Sequence, residues 1–190
     1  LNSTVLEGAQ LSGGSRAVEL GLITHKGTLS LARKMLLGAL LVTALLLYNS
    51  FLVTGEIANA QNALILGVVG GLLGYFYTAR PIRLVSRRGL GEVAIFLAFG
   101  PVLTLGALFA ISSNTIELFS TEFYNAIYLG IPFGFLTTNI LYINQYPDTV
   151  SDATTGKNHL IVTLGKKNAR WGYLLLLCAA FGSSIYTVSY

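Results

Sequence analysis

Charge is scarce in this sequence, and so are cysteine, histidine and proline. Only 11% of its 190 residues are Asp, Glu, Lys or Arg, less than half of the roughly 25% usual for soluble domains. The single cysteine, Cys178, excludes a disulfide framework and a Cys-based zinc pattern. Within LLLLCAAFG it reads as a small packing residue. The two histidines, His25 and His159, have no partner at metal-ligand spacing and read as interfacial. There is no P-loop and no Ser-His-Asp set. No basic segment leads into a short apolar run, so no signal peptide is visible. The chain opens on Leu1 and stops at Tyr190 in an apolar run, the pattern expected of a piece of a longer protein.

Hydrocarbon is what the sequence has in excess. Apolar residues make up 53% and the mean hydropathy is +0.66, more than a globular core needs. Crossing a bilayer takes about 20 apolar residues. Five stretches qualify without a charged side chain: Met35–Val53, Gln61–Ala79, Val93–Ser112, Phe123–Gln145 and Trp171–Tyr190. The expected fold is therefore an all-α polytopic bundle in a single domain. Glycines recur within the spans, and small residues let membrane helices approach closely. Gly67, Gly70, Gly71 and Gly74, three and four apart, are expected to form one packing face.

Lysine and arginine stay on the cytoplasmic side of membrane proteins, and here they are fully sorted. All twelve fall in residues 1–34, 80–92 and 146–170. The two other connections carry only acids, Glu56, Glu117 and Glu122. This arrangement predicts a multi-pass protein of the cell (inner) membrane whose working face is cytoplasmic. It also explains the net charge of +4 without any nucleic-acid partner.

The residues best suited to chemistry lie after the fourth span, in Asn144-Gln-Tyr-Pro-Asp148-Thr-Val-Ser-Asp152. Asn144, Asp148 and Asp152 are four apart, so on a helix they would stack along one face. Two carboxylates at that spacing repel unless a cation lies between them. Oxygen ligands suit Mg²⁺, which binds through one or two carboxylates plus waters and phosphate oxygens. Pro147 is expected to kink or end the helix just before Asp148. Candidate anion binders surround the motif: Lys157 after Gly156, Arg16 after Gly13-Gly14-Ser15, and Arg87 and Arg88 in a short basic loop. Paired aspartates ringed by cations are what a diphosphate requires. Tyr77 fits an interfacial aromatic belt and is also near enough to the basic loop to reach a phosphate. Glu92 reads either as a helix N-terminal acid or as a partner of Arg88.

NQYPDTVSDATTGKNHLIVTLGKKNA resembles the second aspartate-rich motif of the UbiA-type membrane prenyltransferases, with Asn-x3-Asp-x3-Asp, Gly-Lys and Leu-Gly elements. The 1,4-dihydroxy-2-naphthoate prenyltransferases of menaquinone synthesis are the nearest subgroup. GGSRAVELGLI is similar to the glycine-arginine stretch after the family's first motif, and YTARPIRLVSRRGLGE to its tyrosine-proline-basic segment. The resemblance implies a nine-helix fold in which these spans are the third to seventh, with the first aspartate motif upstream of Leu1. Asn158 and His159 stand where the family usually has arginine and threonine.

The resemblance also implies a mechanism. Mg²⁺ held by Asp148 and Asp152, with Asn144, binds an isoprenyl diphosphate. Arg16, Lys157, Arg87 or Arg88 and Tyr77 support the diphosphate, and an aromatic acceptor attacks the allylic cation. Other family acceptors (4-hydroxybenzoate, homogentisate, a tetrapyrrole or a glycerol-phosphate lipid) are the alternatives within it. Outside it the alternative is a cation transporter with an aspartate site, which predicts ionisable groups deep in the spans; the sequence has none.

Overall fold

The computed structural model describes residues 21–55, 57–154 and 156–189, and all its regular elements there are helical. In chain order these are α1 (His25–Thr54), α2 (Ala58–Thr78), a 3-10 turn (Leu84–Ser86), α3 (Leu90–Leu97), a π-helical segment (Ala98–Val102), α4 (Leu103–Ile111), α5 (Thr121–Asn144), α6 (Thr149–Thr154) and α7 (Leu160–Ser189). Among the described residues five helices are long and apolar enough to cross a membrane: α1, α2, the α3–α4 unit, α5 and α7.

Two helices start well before the apolar runs do. α1 begins at His25, where Thr24 caps it by accepting the Gly27 N–H at 3.0 Å, and so carries Lys26, Arg33 and Lys34. α7 begins at Leu160 and carries Lys166, Lys167 and Arg170. Hydropathy marks where a helix meets lipid, whereas lysine and arginine are good helix formers that prolong it. At Gly165 (φ 73°, ψ 150°) α7 breaks into a short first turn and a long second part. The Arg170 guanidinium lies 5.2 Å from the Trp171 ring, at the start of the apolar run.

α5 is the centre of the bundle, packing on α7, the π segment, α3 and α4. One third of its most apolar stretch is buried, against 6% for α1, α2 and α7. The third span is not the continuous helix its hydropathy suggests. Pro101 has no N–H to continue the ladder, and Gly100 leaves helical geometry (φ −102°, ψ −111°).

At this break two backbones touch. A Cβ on Gly100 would lie 2.8 Å from the Gly130 carbonyl oxygen, and one on Gly134 would lie 2.7 Å from that of Phe96. The close-packing glycines are therefore Gly100, Gly130 and Gly134. The expected Gly67/Gly70/Gly71/Gly74 face is corrected: nothing lies within 4 Å of a Cβ at Gly67, Gly71 or Gly74. Gly67 and Gly70 instead line a cavity of about 350 Å³ between α1, α2 and α4. Spacing identifies a smooth face but not what covers it. Cys178, expected to pack, is exposed on α7.

The connections sort by end. Asn59, buried in the first turn of α2, donates to Asn114 O and accepts from Ile116 N, both at 2.9 Å, which ties the α1–α2 and α4–α5 connections together. At the other end Asn158 N donates to Ser86 O at 3.4 Å, joining the basic α2–α3 loop to the α6–α7 loop. Single cysteines at Ser113 and Asn158, in a Cys178→Ser background, should therefore label from opposite faces of sealed vesicles. Labelling of both from one face would reject this threading.

Candidate functional site

α5 ends at Asn144, and the tyrosine-proline pair that follows turns the chain before α6 begins at Thr149. The expected single stack of Asn144, Asp148 and Asp152 is thus split. Asn144 is exposed at the end of α5, while Asp148 and Asp152 belong to the α6 turn. The Asp152 N–H donates to Asp148 O at 2.7 Å, so these two retain one-turn spacing. Asp148 is partly exposed and Asp152 is buried.

Burial of a carboxylate is costly unless it is paired and hydrogen-bonded. Asp152 is both. Lys157 Nζ lies 2.7 Å from Oδ1, and His159 Nε2 lies 3.2 Å from Oδ2. Lys157 N also donates to Asp152 O at 2.9 Å, and Gly156 makes the turn possible with φ 73°. His159 is only 1% exposed, which corrects its reading as an interfacial residue. Spacing does not find this pair, because the two residues are seven positions apart and residues 156–159 leave the helix between them.

Glu92 also enters the site. It lies in the first turn of α3 and is 5% exposed. Its Oε1 accepts the Leu160 N–H at 3.2 Å, so the acid sits at a helix start as expected. Its bond reaches across to α7 rather than to Arg88. Gly91 is pressed against the 3-10 turn, with its ideal Cβ 3.1 Å from Val85 Cα. Tyr77 stands beside this turn, in the electrostatic field of Glu92 and Asp152.

The other expected residues divide. Arg87 turns back on its own loop, donating from Nε to Ile82 O at 2.7 Å. Arg88 is exposed. Arg16 lies outside the described residues. Lys157, expected to hold diphosphate, rests on Asp152.

Polar atoms are left over at this end. Among the described residues Ser86 Oγ, Glu92 Oε2, Gln145 Oε1, Tyr146 Oη and His159 Nδ1 are buried with no hydrogen-bond partner. Native proteins keep few such atoms, and these five lie on the segments that carry or adjoin Glu92, Asp148 and Asp152. Burial pushes the Tyr146 hydroxyl above its usual range, with Arg170 opposing. Among the described residues no three His, Cys, Asp or Glu side chains converge as a ready metal cage. The donor set instead fits an ion that takes one or two carboxylates and fills its shell with water and phosphate oxygens, as Mg²⁺ does. At the same end an apolar cleft of about 270 Å³ lies between α2 and the basic loop, lined by Val69, Leu72, Leu73, Phe76, Ile82 and Leu84.

A bundle of five membrane-length helices with a buried, cation-clasped aspartate at one end defines a polytopic membrane protein with a polar site at its surface. Sequence comparison makes the class specific: residues 24–190 match the UbiA prenyltransferase family, and the chain belongs to it. Among its relatives, the 1,4-dihydroxy-2-naphthoate octaprenyltransferase of Escherichia coli is 28% identical over 87% of this chain and 50% of its own. The chloroplastic 2-carboxy-1,4-naphthoquinone phytyltransferase of Arabidopsis thaliana is 32% identical over 71% of this chain and 36% of its own. A UbiA prenyltransferase domain-containing protein of Dictyostelium discoideum is 32% identical over 64% and 34%. The chain thus spans between about a third and a half of these relatives' lengths. No solved structure matches significantly.

Proposed function

We propose that the protein transfers a prenyl group from an isoprenyl diphosphate to an aromatic acceptor of the dihydroxynaphthoate class, with Mg²⁺ at Asp148 and Asp152. The observation that carries this reading is the buried Asp152, bonded to Lys157 and His159 one turn from a partly open Asp148. The named Escherichia coli relative is a 1,4-dihydroxy-2-naphthoate octaprenyltransferase, which supports the acceptor class. The site faces the cytoplasm because the basic connections gather at its end.

Bound Mg²⁺ supplies charge neutralisation on the leaving diphosphate. Asp148 and Asp152 would hold it, and Asn144, exposed at the end of α5, would be the third oxygen donor of the motif. Lys157 is positioned to exchange Asp152 for a diphosphate oxygen, since one ammonium serves either anion. Tyr77 orients a phosphate oxygen by hydrogen bonding. The allylic C–O bond breaks with its electron pair leaving on the diphosphate. A ring carbon of the acceptor then bonds the allylic carbon, and carbon dioxide departs in the naphthoate case. The apolar cleft beside the basic loop suits the hydrocarbon chain.

The test uses the complete polypeptide in lipid nanodiscs, labelled isoprenyl diphosphate and a panel of acceptors. Transfer to dihydroxynaphthoate should disappear on chelation and return with Mg²⁺. Transfer to none of the acceptors, or transfer that survives chelation, would reject the reading.

A further inference from the structure

Glu92 is a poor choice for stability alone. It is 5% exposed, makes one hydrogen bond through Oε1 and leaves Oε2 buried without a partner. An apolar side chain in that place would avoid the desolvation cost. What Glu92 does have is position. The Leu160 amide it binds follows His159 directly, and His159 and Lys157 both bond Asp152.

The seat on which this loop rests is itself fixed. Gly91 packs against Val85, whose Cα lies 3.1 Å from where a Cβ would stand, and the Leu160 side chain lies against Gly89. Asn158 N reaches Ser86 O at 3.4 Å, near the limit for such a bond. Among the described residues the shorter of the two hydrogen bonds joining the 84–92 segment to the 157–160 loop is therefore the one made by Glu92. Residues 156–159 are not helical; the bonds of Lys157 and His159 to Asp152 tie the loop to α6, whereas across to the 84–92 segment its polar ties among the described residues are the Asn158 bond and the one made by Glu92.

We propose that Glu92 is a positioning residue: by holding the Leu160 N–H it sets His159 and Lys157 against Asp152, and through them the orientation of the carboxylate that meets the metal–diphosphate. This deepens the proposed function and rests on it for its kinetic part. The role belongs to an acceptor oxygen, not to the charge, so an amide oxygen should serve in its place.

The experiment compares Glu92→Ala and Glu92→Gln in the complete polypeptide in nanodiscs. Glu92→Ala should lower kcat about 30-fold and raise the half-saturating Mg²⁺ concentration about tenfold, while leaving KM for the acceptor within about twofold. Glu92→Gln should recover kcat to within about threefold of wild type. Hydrogen exchange supplies a readout independent of turnover: amides of residues 157–162 should exchange at least about tenfold faster in Glu92→Ala, but not in Glu92→Gln. Normal kcat per folded molecule in Glu92→Ala, unchanged exchange there, or failure of Glu92→Gln to restore both would overturn the proposal. Should wild type lack transfer altogether, the functional reading falls while the exchange comparison still decides the positioning role.

Discussion

Replacing Asp152 by alanine in the complete polypeptide is expected to slow prenyl transfer at least about a hundredfold, or roughly 2.7 kcal/mol of transition-state stabilisation. Two losses combine. The proposed metal–diphosphate loses a ligand, and Lys157 and His159 lose the carboxylate that holds them 2.7 and 3.2 Å away. Breaking a buried pair by removing one partner leaves the other uncompensated, a large cost in itself. Asp148→Ala removes a ligand without disturbing that pair, so it should reach a similar rate loss while the protein stays as stable as wild type. Steady-state kinetics and thermal unfolding of both variants in nanodiscs separate these effects. Near-normal turnover in either variant would count against the Mg²⁺ mechanism. Equal destabilisation of the two would count against the buried Lys157–Asp152–His159 arrangement.

Gly134→Ala should destabilise the bundle by about 3 kcal/mol, at the upper end of overpacking costs. The new Cβ would sit 2.7 Å from Phe96 O and 2.8 Å from the Phe96 ring. A backbone oxygen in a helix cannot swing aside as a side chain can, so α5 must separate from α3. The matched control is Gly71→Ala, where nothing lies within 4 Å and the helix gains up to about 1 kcal/mol from the better helix former. The two substitutions are chemically identical and should move stability in opposite directions. Thermal unfolding in one detergent, followed by size-exclusion fluorescence, checks the sign. Equal shifts would show that the α3–α5 approach is not as close as described.

Much of the architecture was legible in the residues themselves. Five uncharged runs identify five membrane-length helices because transfer to hydrocarbon is close to additive over a window, whatever the runs touch. The strict partition of lysine and arginine identified which connections share an end, and the Asn59 and Asn158 bonds join those same connections. The aspartate motif stood out because carboxylates are rare in such a chain, and Pro147 announced the break before Asp148. Resemblance then named the family to which the chain belongs.

Tertiary structure alone decided the pairings. Gly100, Gly130 and Gly134 form the close contact, rather than the more regular Gly67–Gly74 series, at the point where Gly100 leaves helical geometry beside Pro101. His159 was hidden from periodicity by the loop that carries it, in which Gly156 adopts the left-handed φ of 73°. Glu92 and Leu160 are 68 positions apart, and no local pattern links them. Hydropathy and charge belong to each residue separately and can be read in order along the chain. A buried hydrogen bond belongs to two residues at once, and which two is settled only when the helices have packed.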